Sequence, residues 1–232
     1  MNKSVPTPHT KKGDTLSIII PAAGEGTRLG LGPKAFLELN ERPLIYWLSQ
    51  KALKVTDNVL IAAPTNSPDQ RARLQAICPD GNVIEGGTSH LESMAILARH
   101  CRTALIMNLN VSMPFISIKL MLQLVEAAEH QKIVAAATPL VLPVFVLENA
   151  EVINLLSRKT TAIANGPNVY NRLLFQELVS KATPLDWRRQ SFLEIAHAHG
   201  YPIHTIVGEK TNIKITSQED WLLAQNLKDL LK

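Results

Sequence analysis

Two glycines and two cations lie close together near the start of the chain. The apolar residues 18–20 lead into a loop that contains Gly24, Gly26, Arg28 and Lys34. Glycine accepts positive φ and lets backbone N–H groups approach an anion closely. Arg28 and Lys34 add mobile positive charge to such a loop. The pattern predicts a site for phosphate groups, and the alternative is a tight turn with ordinary surface cations.

This loop also carries a family resemblance. Ala22-Ala23-Gly24-x-Gly26-x-Arg28 followed by Pro33-Lys34 resembles the signature of nucleotidyltransferases, and most closely the 2-C-methyl-D-erythritol 4-phosphate cytidylyltransferases. Those enzymes join a nucleoside triphosphate to a phosphorylated sugar or polyol and release pyrophosphate. The resemblance implies that the loop wraps the triphosphate of CTP, while Arg28 and Lys34 stabilise charge at the α-phosphorus, since such transfers depend on positioning and electrostatics. The nucleotide-binding residues that it implies here are Ala22, Ala23, Gly24, Gly26 and Thr27.

A second glycine pair matches the family segment that holds the cytosine base. Residues 86–94 resemble that segment, which implies that Gly86, Gly87 and Ser93 bind the base. His90 stands where the family carries arginine. The alternative interpretation is a plain glycine turn with a polar cap for the following helix.

The third match lies near the end of the chain, in Asn212-Ile213-Lys214-Ile215-Thr216. The resemblance implies that Lys214 meets both the acceptor phosphate and the nucleotide. An ammonium group there would screen the repulsion between two phosphates that must approach to bonding distance. A lysine at a strand edge is the alternative. The expected catalytic residues are therefore Arg28, Lys34 and Lys214.

The resemblance weakens on the acceptor side of the reaction. Asn110 stands where the family has an aspartate that organises the ribose and the metal-bound triphosphate, and Met113 replaces a substrate-binding arginine. We keep Asn110 as a nucleotide contact and at most a weak Mg²⁺ ligand, so Mg²⁺ is expected to bind mainly through the nucleotide phosphates. Arg158 and Gly166 are the predicted substrate-binding residues.

Three functions remain open on these residues. The favoured one is transfer of CMP from CTP to a phosphorylated polyol or sugar that differs from the family's acceptor. The others are the family's own reaction, with a place in isoprenoid biosynthesis, and a weak or inactive nucleotide-binding homologue.

Other enzyme classes fit the sequence poorly. A dehydrogenase Gly-x-Gly-x-x-Gly motif that began at Gly24 would need its third glycine at position 29, where this chain has leucine. Ser112 lacks the flanking glycines of a hydrolase nucleophile elbow. No Asp-x-Asp motif typical of metal-dependent glycosyltransferases occurs.

Composition favours one compact cytoplasmic domain. The chain has 232 residues, of which 46% are hydrophobic and 5% aromatic, with a formal net charge of +4. The scattered charge argues against nucleic acid binding. No apolar run is long enough to cross a bilayer, so no membrane association is expected. Cys78 and Cys101 lack metal-ligand spacing and are expected to be reduced. We predict a flexible leader at 1–15 and a single domain at 16–232.

Short apolar segments alternate with amphipathic ones, which predicts an α/β fold of three layers, α/β/α, around a mostly parallel, Rossmann-like twisted sheet. The predicted strands are 16–21, 58–63, 82–85, 103–108, 133–138 and 203–207. The predicted helices are 42–55, 67–77, 90–101, 117–131, 171–182 and 187–199. In a last helix, Thr216 and Glu219 are predicted to form a capping box, and Leu223, Leu227 and Leu230 to close the core.

Residues 139–170 interrupt the alternation and are predicted to form short extended pieces around one short helix. The family resemblance implies that this region is a protruding arm through which a homodimer forms. The expected partners are therefore CTP, a small phosphorylated acceptor and a second copy of the chain.

Overall fold

The computed structural model describes residues 15–24, 26 and 29–231. The predicted leader lies outside the described residues except for Thr15. Thr27 and Arg28 of the glycine loop also lie outside them.

A seven-stranded sheet forms the centre of the molecule. Its strands are β1 (Leu16–Pro21), β4 (Val59–Ala63), β5 (Asn82–Glu85), β6 (Leu105–Asn108), β7 (Ile133–Pro139), β10 (Ala162–Asn171) and β11 (His204–Val207). Their order is β11-β7-β10-β6-β1-β4-β5. β10 runs antiparallel to β6 and β7, while the other neighbouring pairs are parallel. The predicted mostly parallel α/β sheet is confirmed.

Two layers of helices cover this sheet. The described helices are α1 (Leu44–Leu53), α2 (Pro68–Ile77), α3 (His90–His100), α4 (Ile118–Ala128), α5 (Arg172–Lys181), α6 (Phe192–Ala198) and α7 (Gln218–Asn226). One apolar cluster packs α1, α2, α4 and α7 on one face. A second cluster packs α3, α5 and α6 on the other. The three predicted layers are therefore present.

Local sequence explains where these elements begin. Each residue of β1 is buried, as expected for a central parallel strand that is covered on both faces. Side-chain oxygens cap four helices: Ser89, Ser117, Asn171 and Ser191 each accept a hydrogen bond from the backbone N–H three residues later. These caps place the starts of α3, α4, α5 and α6.

The last helix corrects one prediction. Its capping box joins Ser217 and Asp220, one residue later than the predicted Thr216 and Glu219. Leu223 and Leu230 are 48% and 45% exposed, so they do not close the core. Ala224 and Leu231 are buried there instead.

Residues 139–170 contain no helix, which corrects the prediction of one. The hairpin of β8 (Val144–Glu148) and β9 (Glu151–Leu156) projects from the sheet, and β10 then returns into it. A second small antiparallel pair, β2 (Glu38–Leu39) and β3 (Arg42–Pro43), precedes α1. Within the described residues, no helix is both long enough and apolar enough to cross a bilayer.

Candidate active site

A cavity of about 920 Å³ opens where β1 and β6 reach their carboxyl ends. Ligands of open α/β sheets bind at this edge. Five stretches of chain supply most of the wall, which includes residues 21–24 with 26, and residues within 87–93, 108–116, 138–142 and 163–168. Lys34 and the segment 210–214 complete it. The fold therefore brings together motifs from opposite ends of the sequence.

The glycine loop crosses one end of this cavity. Ala22, Ala23, Gly24 and Gly26 all line it. Gly26 has a φ of +71°, and a Cβ there would lie 2.1 Å from the Gly32 carbonyl oxygen, so only glycine fits. Gly24 has no positive φ and its surroundings are open, so backbone conformation does not require glycine at that position.

Lys34 links the first motif to the last one. It begins a short 3₁₀ turn, Lys34–Phe36, and its Nζ donates a hydrogen bond to the Ile215 carbonyl oxygen at 2.7 Å. The Ile215 N–H donates to the Ser112 carbonyl oxygen at 2.8 Å. These two bonds fix the backbone beside Lys214, which is exposed on the cavity wall.

His90 and Lys214 both line the cavity, and the charge of Lys214 acts on the His90 imidazole. The His90 imidazole lines the cavity, and its pKa is lowered mainly by its partial desolvation there and further by the charge of Lys214. It is therefore neutral near pH 7. The histidine that replaces the family's arginine adds no positive charge to the wall under those conditions.

The second glycine pair has divided roles. Gly87 and Ser93 line the cavity, whereas Gly86 is buried behind it. A Cβ on Gly86 would lie 2.8 Å from Ser93 Oγ and 2.9 Å from the Ala63 carbonyl oxygen. Ser93 Oγ accepts a hydrogen bond from the Gly87 N–H at 3.1 Å. The glycines thus allow α3 to pack tightly at the place where Gly87 presents its backbone.

The side-chain oxygen of Asn110 is engaged within its own loop. Its Oδ1 accepts hydrogen bonds from the Ser112 N–H at 3.0 Å and the Ser112 hydroxyl at 2.8 Å. Met113, at the position of the missing arginine, is 8% exposed. The loop is therefore built around an apolar side chain and an internally bonded carboxamide.

Charged side chains that could hold Mg²⁺ are scarce at this site. No group of three or more His, Cys, Asp or Glu side chains that could hold a metal ion occurs among the described residues. Asp220 is the carboxylate on the described cavity wall, and its Oδ2 accepts bonds from the Thr216 N–H, the Thr216 hydroxyl and the Ser217 N–H. These bonds lower its pKa and direct it to the capping box. With Asn110 Oδ1 also engaged, the described wall offers no group of carboxylate ligands for the ion.

The described cavity wall includes one of the two predicted substrate-binding residues. Gly166 lines the cavity with a φ of +57°. Arg158 is exposed on the projecting arm, where its Nη1 donates to the Val141 carbonyl oxygen at 3.0 Å. It is not part of the described wall of the cavity in its own chain.

The structure adds wall residues that the sequence analysis did not select. Asn108 and Asn168 lie directly opposite each other on β6 and β10, and Asn212 lies on the segment before Lys214. The Oδ1 atom of each is buried without a hydrogen-bond partner within the described part of the chain. Lys210 is a further cation on the wall. Asn168 could have been selected only from the pairing of β10 with β6, and local sequence does not predict that pairing.

Comparisons with known proteins agree with this fold. A family model described as IspD, 2-C-methyl-D-erythritol 4-phosphate cytidylyltransferase, matches residues 16–228. Two relatives carry that enzyme's name. The one from Thermus thermophilus is 29% identical over 212 residues, covering 91% of this chain and 96% of the relative. The one from Deinococcus radiodurans is 26% identical over 220 residues, covering 95% and 92%.

Solved structures extend the likeness to three dimensions. The crystal structure of the enzyme from Thermus thermophilus superposes with a TM-score of 0.77 at 26% identity, covering 93% of this chain and 99% of that one. A 4-diphosphocytidyl-2C-methyl-D-erythritol synthase from Anaerococcus prevotii gives a TM-score of 0.78 at 21% identity, covering 94% and 100%, and shows the fold alone. With a family match over nearly the whole chain, a shared fold and the glycine loop joined to the Lys214 segment, this protein belongs to the 2-C-methyl-D-erythritol 4-phosphate cytidylyltransferase family.

Proposed function

We propose that this protein transfers CMP from CTP to a small phosphorylated polyol or sugar and releases pyrophosphate. The observation that carries the proposal is the meeting of Lys34 and the Lys214 segment across one cavity at the carboxyl edge of the sheet. Lys210 adds a third ammonium group, while Asp220 is the one carboxylate among the described wall residues. This excess of positive charge suits two phosphorylated reactants.

The cavity wall suggests how CTP lies in it. In this proposal the base lies at Gly87 and Ser93, held by a turn that Gly86 makes possible, and the ribose approaches Asn110. The triphosphate then runs along residues 22–28 toward Lys34. Gly26 supports this direction because it lines the cavity in a conformation, with a φ of +71°, that favours glycine. Thr27 and Arg28 keep their proposed roles as triphosphate contacts.

The reaction itself requires no protein nucleophile. A phosphate oxygen of the acceptor attacks the α-phosphorus in line and forms the new P–O bond. The bond from the α-phosphorus to the bridging oxygen breaks, and pyrophosphate leaves with that electron pair. Lys34, Lys214 and Arg28 stabilise the negative charge that develops in the transition state. The acceptor phosphate is ionised near neutral pH, so no general base is needed.

Mg²⁺ is proposed to enter with CTP, held by the phosphate oxygens. Two observations support this: Asp220 is the one carboxylate among the described wall residues, and its Oδ2, like Asn110 Oδ1, already accepts hydrogen bonds. Mg²⁺ would supply further charge neutralisation at the phosphates.

The acceptor is proposed to differ from that of the family. Met113 and the apolar segment 139–142 line the part of the cavity where the family places charged and polar groups. Arg158 is proposed to act at the cavity of a second copy, since it is exposed on the arm and is not among the described residues that line the cavity of its own chain. Gly166 remains the proposed acceptor contact on the wall.

A pyrophosphate-release screen tests the proposal. The four nucleoside triphosphates are crossed with a panel of phosphorylated polyols and sugars, including 2-C-methyl-D-erythritol 4-phosphate, at saturating Mg²⁺. We expect release with CTP and at least one acceptor, and a loss of release in Lys214→Ala. Release that is independent of the acceptor, or equal in Lys214→Ala, would contradict the assignment.

A second candidate function is nucleotide binding with weak or no transfer. Asn110 favours it, because its carboxamide is bonded within its own loop where the family carries a free carboxylate. This candidate predicts that CTP raises the melting temperature while no member of the panel yields pyrophosphate.

A further inference from the structure

Asn165 lies where β10 departs from regular pairing. The register between β10 and β7 shifts between Ala164 and Asn168, which leaves Asn165 inside the irregularity. Its Oδ1 accepts a hydrogen bond from the Thr138 hydroxyl at 3.1 Å. Its Nδ2 donates to the Glu209 carbonyl oxygen at 3.0 Å. The carboxamide of Asn165 therefore connects β7 and β10, the two strands at the base of the arm, to the segment 208–215.

Two further residues of the segment 208–215, Asn212 and Gly208, also contact Asn165. Asn212 Nδ2 donates to the carbonyl oxygens of Asn165 and Gly166, at 3.3 Å and 3.2 Å. Gly208 packs so closely that a Cβ there would lie 2.7 Å from Asn165 Oδ1. Asn212 is 2% exposed, so these bonds are shielded from water. The segment is thus fitted against Asn165 rather than laid loosely over it.

Other contacts fix the segment on its far side. The Glu209 carboxylate accepts hydrogen bonds from the Ser117 N–H at 3.0 Å and from the Ser117 hydroxyl, at the start of α4. The Ile215 N–H bonds to Ser112, and its carbonyl oxygen accepts from Lys34. Lys214 lies between these two anchored ends, with its side chain exposed on the cavity wall.

We propose that Asn165 is a positioning residue that sets where the Lys214 ammonium stands in the cavity. The inference rests on the proposed function in one respect, namely that Lys214 acts on phosphate groups. A carboxamide is suited to the task because it accepts from Thr138 and donates to Glu209 at once, which neither a carboxylate nor an apolar side chain can do. Small errors in the position of a catalytic group are costly even when the change lies outside the reacting centre.

The closest test is Asn165→Asp, which preserves size and the acceptor for Thr138. It removes the donor to Glu209 and sets a carboxylate against that carbonyl oxygen. Thr138→Val is the matched control, because it removes a bond to the same carboxamide and leaves all bonds to the segment 208–215 in place. We expect kcat to fall about tenfold to a hundredfold in Asn165→Asp, with little change in the KM for CTP and a much smaller effect in Thr138→Val.

A double-mutant cycle with Lys214→Ala separates positioning from general destabilisation. If Asn165 acts through Lys214, then Asn165→Asp causes almost no further loss in a Lys214→Ala background, because residues that act as one unit are not additive. Full additivity of the two losses would overturn the proposal. This comparison holds even if Asn165→Asp lowers the melting temperature.

Two readouts keep the test independent of turnover. Amide hydrogen exchange in 208–215 should rise in Asn165→Asp and stay near wild type in Thr138→Val, and unchanged exchange in both would overturn the proposal. If the wild type releases no pyrophosphate with any acceptor, the transfer reaction fails, and the cycle is run on binding of inorganic tripolyphosphate. In that experiment, Asn165→Asp should weaken tripolyphosphate binding when Lys214 is present and leave it unchanged in the Lys214→Ala background. Equal weakening in both backgrounds would overturn the inference.

Discussion

The Lys34 ammonium donates a hydrogen bond to the carbonyl oxygen of Ile215 at 2.7 Å, although the two residues are 181 positions apart in the chain. The donor belongs to the glycine loop and the acceptor to the segment that carries Lys214. Because the donor is charged, the bond is stronger than one between neutral groups. It makes the glycine loop and the Lys214 segment one structural unit.

This bond predicts that Lys34 and Lys214 differ in their effects on stability. Lys34→Ala should lower both transfer and melting temperature, because it removes a charge and an anchor. Lys214→Ala should lower transfer by about a hundredfold or more with little change in melting temperature, since that side chain is exposed. Pyrophosphate release and thermal unfolding measure the two effects.

Lys119→Ala, at an exposed position of α4, is the control for both measurements. Equal shifts of the melting temperature in the Lys34 and Lys214 variants would contradict the prediction.

Asn110 offers a second prediction. Asn110→Asp preserves the acceptor for the Ser112 N–H and hydroxyl, so we expect near wild-type stability and stronger Mg²⁺-dependent binding of CTP. Asn110→Ala removes both bonds and should lower the free energy of unfolding by about 1–2 kcal/mol. Calorimetric titration with and without Mg²⁺, together with urea unfolding, distinguishes the variants. A large stability loss in Asn110→Asp would show that the loop does not tolerate a carboxylate.

Lys51 predicts an unusual dependence of stability on pH. It is 7% exposed, and its Nζ donates to the carbonyl oxygens of Pro114 and Leu230 at 3.0 Å and 3.2 Å. Burial lowers its pKa from 10.5 to about 8, against the opposing effect of Glu209 and with a further lowering by Lys54. Above the folded pKa, the unfolded chain holds a proton that the folded chain has released. The stability that depends on Lys51 therefore rises with pH between the two pKa values.

The measurement compares the wild type with Lys51→Met, which removes the titrating group while retaining most of the side-chain volume. We expect the free energy of unfolding of the wild type to gain about 2 kcal/mol on the variant between about pH 8 and pH 10. Urea unfolding at half-unit pH intervals gives the difference directly. A difference that stays flat or falls over this range would show that the pKa of Lys51 is not lowered by burial.

The projecting arm predicts a dimer interface. Phe145 and Leu155 lie opposite each other on β8 and β9 and are 54% and 59% exposed. Burying such side chains against a second copy would be favourable by about 25 cal/mol for each square ångström of apolar surface. We expect Phe145→Ser with Leu155→Ser to weaken the dimer at least about tenfold, as measured by light scattering across a concentration series. Leu173→Ser, at a 66% exposed position of α5, should leave the dimer intact. A wild type that stays monomeric at every concentration would contradict the interface.

Local sequence determined the parts of the fold that depend on local forces. The strand predicted at 16–21 is β1 with the same bounds, because the β-branched run 18–20, followed by Pro21 and Gly24, is typical of a short buried strand. The glycine loop was likewise selected by residue type and spacing, whereas Lys214 was selected because its segment resembles a motif of the family. Both lie on the cavity wall, since the carboxyl ends of parallel strands share one edge.

Only the tertiary structure decided the rest. β10 escaped prediction because Asn165, Gly166 and Pro167 interrupt its apolar pattern, and its two antiparallel partners are distant in sequence. The bond from Lys34 to Ile215 and the contacts of Asn165 depend on distances that arise only when the whole sheet is assembled. Residue types determined which groups could bind phosphate, and packing between distant segments determined where those groups stand, because side-chain hydrogen bonds at about 3 Å cannot be read from spacing along a chain.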